Sequence, residues 1–114
     1  MVTLATSKFS QSALVIFTSI TIALATAHAV HAKTDATIAN AIADANTLIE
    51  DGHPDKAVAA LSTAIAAHPT ARAHAIRGRA YSYMGKSARN NAYYDFSKAI
   101  ELDRKEYLAY LYRG

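Results

Sequence analysis

The sequence has 114 residues, 52% of them hydrophobic and 18% charged, with a formal net charge of +3 at pH 7. A chain of that length holds one small domain and no second one. It contains no cysteine, which excludes disulfides, thiolate metal sites and a cysteine nucleophile.

The first 32 residues are typical of an export signal. The stretch from residue 13 to residue 27 is apolar except for four hydroxyl side chains, and Lys8 is the only basic residue before it. Small residues then alternate along the chain, as the shallow pockets of a signal peptidase require. We predict cleavage after Ala32, with Ala27 and Ala29 as alternative sites, and an exported, periplasmic or secreted protein.

Two other interpretations of this segment are an uncleaved membrane anchor and a buried N-terminal helix. A membrane-spanning helix needs about 20 apolar residues, and this run is shorter. A helix buried on one side shows a polar face that repeats about every 3.6 residues. Residues 13–27 show no such face, so both comparisons favour export.

Four helices and the start of a fifth are predicted after residue 32. An apolar stripe at helical spacing predicts the first helix from about Asp35 to Glu50, and Gly52 ends it. The second helix begins at Pro54, because proline has no amide hydrogen to leave unpaired in a first turn. This helix runs to about Ala67.

The third and fourth helices also have clear boundary signals. Thr70 can cap the third helix, which runs to about Met84 and stops at Gly85. Ser87 can cap the fourth helix, which reaches about Leu102. A fifth helix begins a few residues later.

The second and fourth helices, with the glycines before them, repeat one pattern of residues. The offset is 33 residues for the glycine and 35 for the other four positions, so two extra residues lie in the second turn. We expect either a longer turn there or an earlier start of the fourth helix. A unit of about 34 residues is typical of stacked helix pairs, each of which leaves an apolar face for its neighbour to cover. The paired positions are Gly52 and Gly85, Ala57 and Ala92, Leu61 and Phe96, Ala64 and Ala99, and Ile65 and Ile100.

The repeated pattern closely resembles a tetratricopeptide repeat, most clearly in the segments RGRAYSYMGK and AYYDFSKAIELD. By this resemblance, Gly78 lets the second helix of its pair approach, Tyr81 packs beside it, and Phe96 fills the space between the helices. The resemblance implies an all-α fold, an antiparallel helix-pair solenoid. Its domain covers residues 33–114, with repeats at about 37–70 and 71–105 and the first helix of a partial third repeat at 106–114.

In the tetratricopeptide family, the first helices of successive pairs line a concave groove in which partners bind. Arg72 and Arg79 lie seven residues apart on one helix face and can pair with carboxylates of an extended peptide. Asn46 can hold a peptide backbone through its amide, and Tyr83 offers a flat contact surface. A solvated helix face without a ligand is the alternative. The residues that the resemblance places in the groove are Ile42, Asn46, Ile49, Arg72, Arg79 and Tyr83.

Charge is distributed unevenly over the predicted domain. Residues 33–70 carry two basic and five acidic side chains, a net charge of −3, whereas residues 71–114 carry nine basic and four acidic ones, a net charge of +5. This asymmetry favours an acidic partner or head-to-tail self-association. A pattern that only keeps the protein soluble is the alternative.

No pattern of residues predicts catalysis or metal binding. The five histidines lack the spacing of metal ligands, and the sequence has no nucleophile motif or glycine-rich phosphate loop. We therefore predict a non-enzymatic protein without a cofactor or a metal. Scattered arginines with two nearby tyrosines are the only argument for a nucleic-acid partner, and we expect none. All seven tyrosines lie between Tyr81 and Tyr112. An aromatic binding patch is one interpretation, but five of them are expected to fill gaps between helices, namely Tyr93, Tyr94, Tyr107, Tyr110 and Tyr112.

The predicted function is protein–protein interaction in the cell envelope, with a peptide or a partner protein bound in the concave groove. One alternative is a structural repeat protein that self-assembles, since Leu108, Leu111 and Tyr112 of the partial third repeat are expected to leave apolar surface uncovered. Another alternative is a part of a larger protein, in which the repeats form a regulatory or docking module.

Overall fold

The structure is a computed structural model and describes residues 28–113. Packing contacts divide the chain between Asp35 and Ala36, and the packing described below is that of the second unit. Residues 28–113 contain helices and no strand, which confirms the predicted all-α class. The predicted signal, residues 1–32, lies outside the described residues except for residues 28–32, which are helical.

Residues 28–50 are helical and form α1. The prediction that this helix begins at about Asp35 is wrong, since residues 28–34 are already helical. These residues include no proline or glycine that would interrupt a helix. Gly52 ends α1 as predicted, with a φ of +85°. Its amide donates a hydrogen bond to the carbonyl of Ile49 at 3.1 Å, and the amide of His53 donates to the carbonyl of Leu48 at 2.8 Å. These two bonds form a Schellman motif, which satisfies the last carbonyls of a helix.

The next two helices have the boundaries that the sequence predicts to within one residue. Helix α2 spans Pro54–Ala67, and its proline lies in the first turn. Helix α3 spans Ala71–Tyr83. The side-chain oxygen of Thr70 accepts a hydrogen bond from the amide of Ala73 at 3.2 Å, which confirms the predicted N-cap.

The turn after α3 is longer than the turn after α1, as its two extra residues predict. Gly85 has a φ of +100°, and Lys86–Ala88 form one 3₁₀ turn before α4, which spans Arg89–Leu102. The prediction that Ser87 caps α4 is wrong, since Ser87 lies within the 3₁₀ turn. No side chain caps α4. The amide of Arg89, its first residue, donates instead to the carbonyl of Lys86 in the 3₁₀ turn.

The predicted fifth helix is confirmed as α5, which spans Tyr107–Arg113. The turn before it is stabilised by Asp103, whose Oδ1 accepts a hydrogen bond from the amide of Lys105 at 2.9 Å. Aspartate favours such turns because its side chain can bond to the backbone two residues further on.

Buried residues form two clusters that share α3, one with α1 and α2 and the other with α4 and α5. Both consist mainly of alanine, whose small side chain allows helices to pack closely. Leu108 is partly buried and packs against both clusters, so it leaves less apolar surface uncovered than predicted. Leu111 is 63% exposed, as predicted. The first cluster is Ala45, Ile49, Ala57, Leu61, Ala73, Ile76 and Ala80, and the second is Ala75, Ala92, Phe96, Ala99 and Ala109.

At Gly78, α3 packs closely against Phe96 of α4. A Cβ atom at this position would lie 2.6 Å from Cε1 and 2.7 Å from Cδ1 of Phe96. The aromatic ring occupies the space that a side chain at Gly78 would need, and the ring is 2% exposed. The predicted roles of the glycine and the phenylalanine are therefore confirmed, and Tyr81 packs against the same cluster.

Candidate protein-binding site

Three side chains, one each from α1, α3 and α5, contact the guanidinium group of Arg79 on α3. Its Nη1 donates a hydrogen bond to Oδ1 of Asn46 on α1 at 3.2 Å. The same group lies over the ring of Tyr83 at 5.8 Å and over the ring of Tyr112 on α5 at 5.7 Å. Each cation–π contact contributes about 0.5–1 kcal/mol at an exposed site. These four residues, which we term the Arg79 cluster, hold the guanidinium group in one place.

Three predicted groove residues, Asn46, Arg79 and Tyr83, are thus brought together. Tyr112 was expected to fill a gap and also to leave apolar surface uncovered. Both are observed, since its ring stacks on that of Phe96, with centroids 6.1 Å apart, and the residue is 37% exposed. Its contact with Arg79 was missed. The sequence signal for it is the spacing, because Asn46 precedes Arg79 by 33 residues and Tyr112 follows Arg79 by the same number.

Arg79 lacks an acidic partner in the part of the chain that the structure describes. Its Nε atom is buried and has no hydrogen-bond partner there. Tyr83, one turn further along α3, is 62% exposed. A cation held between aromatic rings and lacking a carboxylate is suited to bind a carboxylate from another molecule.

Arg72 belongs to a different pair, two helical turns or about 10 Å from Arg79 along α3. Its Nε donates to Oε2 of Glu106 at 3.0 Å. Glu106 is 6% exposed, and its Oε1 has no hydrogen-bond partner within residues 28–113. An external carboxylate would have to compete with Glu106 for Arg72. The structure therefore separates Arg72 from the Arg79 cluster.

The two isoleucines predicted to line the groove contribute to packing. Ile49 is 6% exposed and belongs to the first buried cluster, and Ile42 packs against that cluster. They share one helix face with Ala45, because the three residues lie at i, i+3 and i+7. This face covers the core, so the expectation that Ile49 offers groove surface is corrected. Both residues support the position of α1.

A buried ionic network around Asp95 joins α2, α3 and α4. Asp95 is fully buried, and Arg77 donates to it twice, from Nε to Oδ2 and from Nη2 to Oδ1, each at 2.7 Å. His74 Nδ1 lies 2.9 Å from Oδ1. Because an ionised carboxylate can only accept, this nitrogen carries the hydrogen. Arg77 also donates to Ser62 Oγ at 3.1 Å.

The network has a structural role. The hydrogen bond to Asp95 raises the pKa of Arg77, although partial burial acts in the opposite direction. The stabilisation from this arginine is therefore complete below the ordinary arginine pKa and is lost only as the pH rises through the raised value. Ser62 donates to the carbonyl of Val58 at 2.7 Å, so it is not placed as a nucleophile for His74.

Sequence reasoning missed this network. The available signal is that Asp95 falls on the same apolar stripe of α4 as Ala92 and Ala99. A single acid in such a stripe needs a buried cationic partner.

No protein-family model matches the chain, and no curated protein or solved structure matches it either. Among residues 28–113, no helix combines the length and the apolar character that crossing a membrane requires. The same residues include no group of three or more histidine, cysteine, aspartate or glutamate side chains that could hold a metal ion. The Arg79 cluster is the best-defined candidate site.

Proposed function

We propose that the chain is a non-enzymatic helical-repeat protein of the tetratricopeptide type, which binds a peptide or a partner protein on the face formed by α1, α3 and α5. The observation that carries the proposal is the Arg79 cluster, in which these three helices contribute residues at steps of 33. In a stack of helix pairs, alternate helices lie side by side, so residues about one period apart come into contact. The bond between Arg72 and Glu106, 34 residues apart, supports the same arrangement.

Binding on this face combines charge and flat apolar surface. Arg79 pairs with a carboxylate of the ligand, and hydrogen bonds to charged groups contribute about 1.5–3 kcal/mol. Tyr83 and Tyr112 provide contact area at a low cost in side-chain entropy. The net charge of +5 on residues 71–114 attracts an acidic partner before contact.

Replacing Arg79 by alanine tests the proposal. The full chain is immobilised as the wild type, as Arg79→Ala and as Arg104→Ala, a control that removes an exposed arginine before α5. We expect the wild type and Arg104→Ala to capture the same envelope protein. We expect Arg79→Ala to bind this partner at least about tenfold more weakly, because central interface arginines are frequent hot spots.

Circular dichroism of each variant verifies that it is folded. Equal affinity of the captured partner for Arg79→Ala and for the wild type would contradict binding through the Arg79 cluster. A partner that also binds Arg104→Ala tenfold more weakly would indicate a general charge effect.

The proposed location in the cell envelope is supported by the N-terminal sequence alone. N-terminal sequencing of the protein recovered from the periplasm or the medium tests it. We expect the chain to begin at Lys33. An intact Met1 in a membrane fraction would instead support the uncleaved anchor.

Exposed apolar side chains on α5 favour self-association as a second candidate function. Tyr107 is 64% exposed and Leu111 is 63% exposed. A second copy that covered them would remove apolar surface from water, which stabilises by about 25 cal/mol per Å². Sedimentation velocity over a wide concentration range separates the candidates, since a constant monomer mass is incompatible with self-association. A dimer that Leu111→Glu dissociates would support it.

A further inference from the structure

A cavity of about 480 Å³ opens where the end of α3, the 3₁₀ turn, the first turns of α4 and the end of α5 meet. Its size lies within the range of about 300–1,000 Å³ that is common for ligand pockets. Three of its lining residues are cationic and three are aromatic. They are Lys86, Arg89 and Arg113, and Tyr93, Phe96 and Tyr112.

Among residues 28–113, the cationic side chains that line this cavity have no acidic partner. None of the lining residues is acidic. In the part of the chain that the structure describes, neither Lys86 nor Arg89 forms an ion pair. Arg113 lies over the ring of Tyr110 at 5.7 Å and forms no ion pair within residues 28–113. Arg72 and Arg77, by contrast, each have an internal carboxylate, so the like charges around the cavity favour an anion there.

The aromatic side chains give the cavity a wall that is already ordered. Phe96 is a core residue, and Tyr112 stacks on it with ring planes inclined by 25°. Tyr93 is exposed at the rim. A rigid apolar wall beside cationic groups binds a ligand that combines a bulky apolar group with negative charge.

We propose that this cavity binds an acidic peptide segment that carries one bulky apolar side chain. The carboxylates of the peptide pair with Lys86, Arg89 and Arg113, and the apolar side chain lies against Phe96 and Tyr112. Tyr112 belongs both to the cavity and to the Arg79 cluster, so one extended ligand reaches both. This inference rests on the proposed function and names the chemistry of its partner.

The absence of tryptophan from the chain permits a direct binding assay. The probe is the peptide acetyl-Asp-Glu-Trp-Glu-Asp-amide, whose tryptophan emission reports only the ligand. Titration of the full chain is expected to shift this emission to shorter wavelength, because the indole leaves water for the aromatic wall. A probe in which lysine replaces each acid is expected not to bind, and added salt is expected to weaken binding of the acidic probe.

Charge-neutral variants test the residues of the cavity. The double variant Lys86→Gln/Arg89→Gln is expected to bind the acidic probe about tenfold or more weakly, since it loses two charge-assisted contacts. Arg113→Gln tests the third cation independently. Lys98→Gln is the matched control, because Lys98 lies on α4 outside the cavity lining and is paired with Glu101.

The outcomes separate this inference from the proposed function. No binding of the acidic probe to the wild type, or equal binding to the wild type and the double variant, would overturn the cavity proposal. Capture of a protein partner that depends on Arg79 would still support the proposed function in that case. An oligothymidylate of equal charge serves as a competitor. If it displaces the acidic probe as strongly as unlabelled peptide does, the site selects charge alone, and the choice of a peptide as ligand is overturned.

Discussion

Replacement of Gly78 by alanine measures how closely α3 and α4 approach each other. The new Cβ atom would lie 2.6 Å from Cε1 of Phe96, about 0.8 Å less than the 3.4 Å at which ordinary van der Waals contact begins. The ring has little freedom to turn away, because Phe96 is buried and Tyr112 stacks on its face. The helices or the ring must therefore shift.

Two opposing effects determine how much Gly78→Ala changes the free energy of unfolding. Alanine in place of glycine in a helix interior stabilises by about 1 kcal/mol through backbone entropy. Overpacking a buried contact typically costs about 1–3 kcal/mol, and two ring atoms closer than 3.0 Å place Gly78→Ala near the upper end. We expect a net loss of about 1–2 kcal/mol in the free energy of unfolding. In a domain of this size each kcal/mol lowers Tm by about 4–8 °C.

Urea denaturation followed by circular dichroism measures the effect. The control Ala59→Gly, at an exposed position of α2, gives the alanine–glycine difference in this protein and should cost about 1 kcal/mol. Phe96→Leu removes the ring, so Gly78→Ala added to it should be neutral or stabilising, and the double mutant should be less destabilised than the sum of the single changes. A Gly78→Ala variant that is more stable than the wild type would refute the close approach at this position.

Three further predictions concern stability, and urea denaturation measures each of them. Asp95→Asn should lower the free energy of unfolding by about 3–5 kcal/mol, because it leaves the charge of Arg77 without its buried partner. A loss below about 1 kcal/mol would contradict a structural role for the network. Thr70→Ala should cost about 1 kcal/mol through the lost N-cap, whereas Thr63→Ala, which removes a hydroxyl bonded within its own helix, should change little. Gly85→Ala should lower the free energy of unfolding by about 1–3 kcal/mol. The cause is backbone strain at a φ of +100°, because the new side chain itself has open space. An unchanged free energy of unfolding would show that the turn relaxes.

Most helix boundaries could be predicted from the sequence, because each depends on residues within about four positions. Pro54 has no amide hydrogen to leave unpaired in the first turn of α2, and the side chain of Thr70 accepts a hydrogen bond from an amide at the start of α3. Gly52 adopts the positive φ that ends α1. The same local signals failed at two places. Helix α1 begins before Asp35, because no glycine or proline interrupts the residues that precede it. At the start of α4, the 3₁₀ turn makes a side-chain cap at Ser87 unnecessary.

The candidate site could be predicted in part. Asn46, Arg79 and Tyr83 were selected through a family resemblance, and the 33-residue spacing contained the signal for Tyr112. Ile49 was misplaced because two adjacent stripes of a helix differ by only a small rotation, and sequence periodicity does not say which stripe the neighbouring helix covers.

Local sequence signals suffice to predict that residues 28–113 are helical, where most of the helices begin and end, and which small residue allows Phe96 to pack against α3. The pairing of charges, by contrast, depends on how the helices pack. Asp95 meets His74 and Arg77 across 21 and 18 residues, and Arg72 meets Glu106 across 34, whereas Arg79, Lys86 and Arg89 have no acidic partner within residues 28–113. The physical reason is that a helix boundary depends on local backbone hydrogen bonds, while a charge pair depends on the rotation and stacking of separate helices.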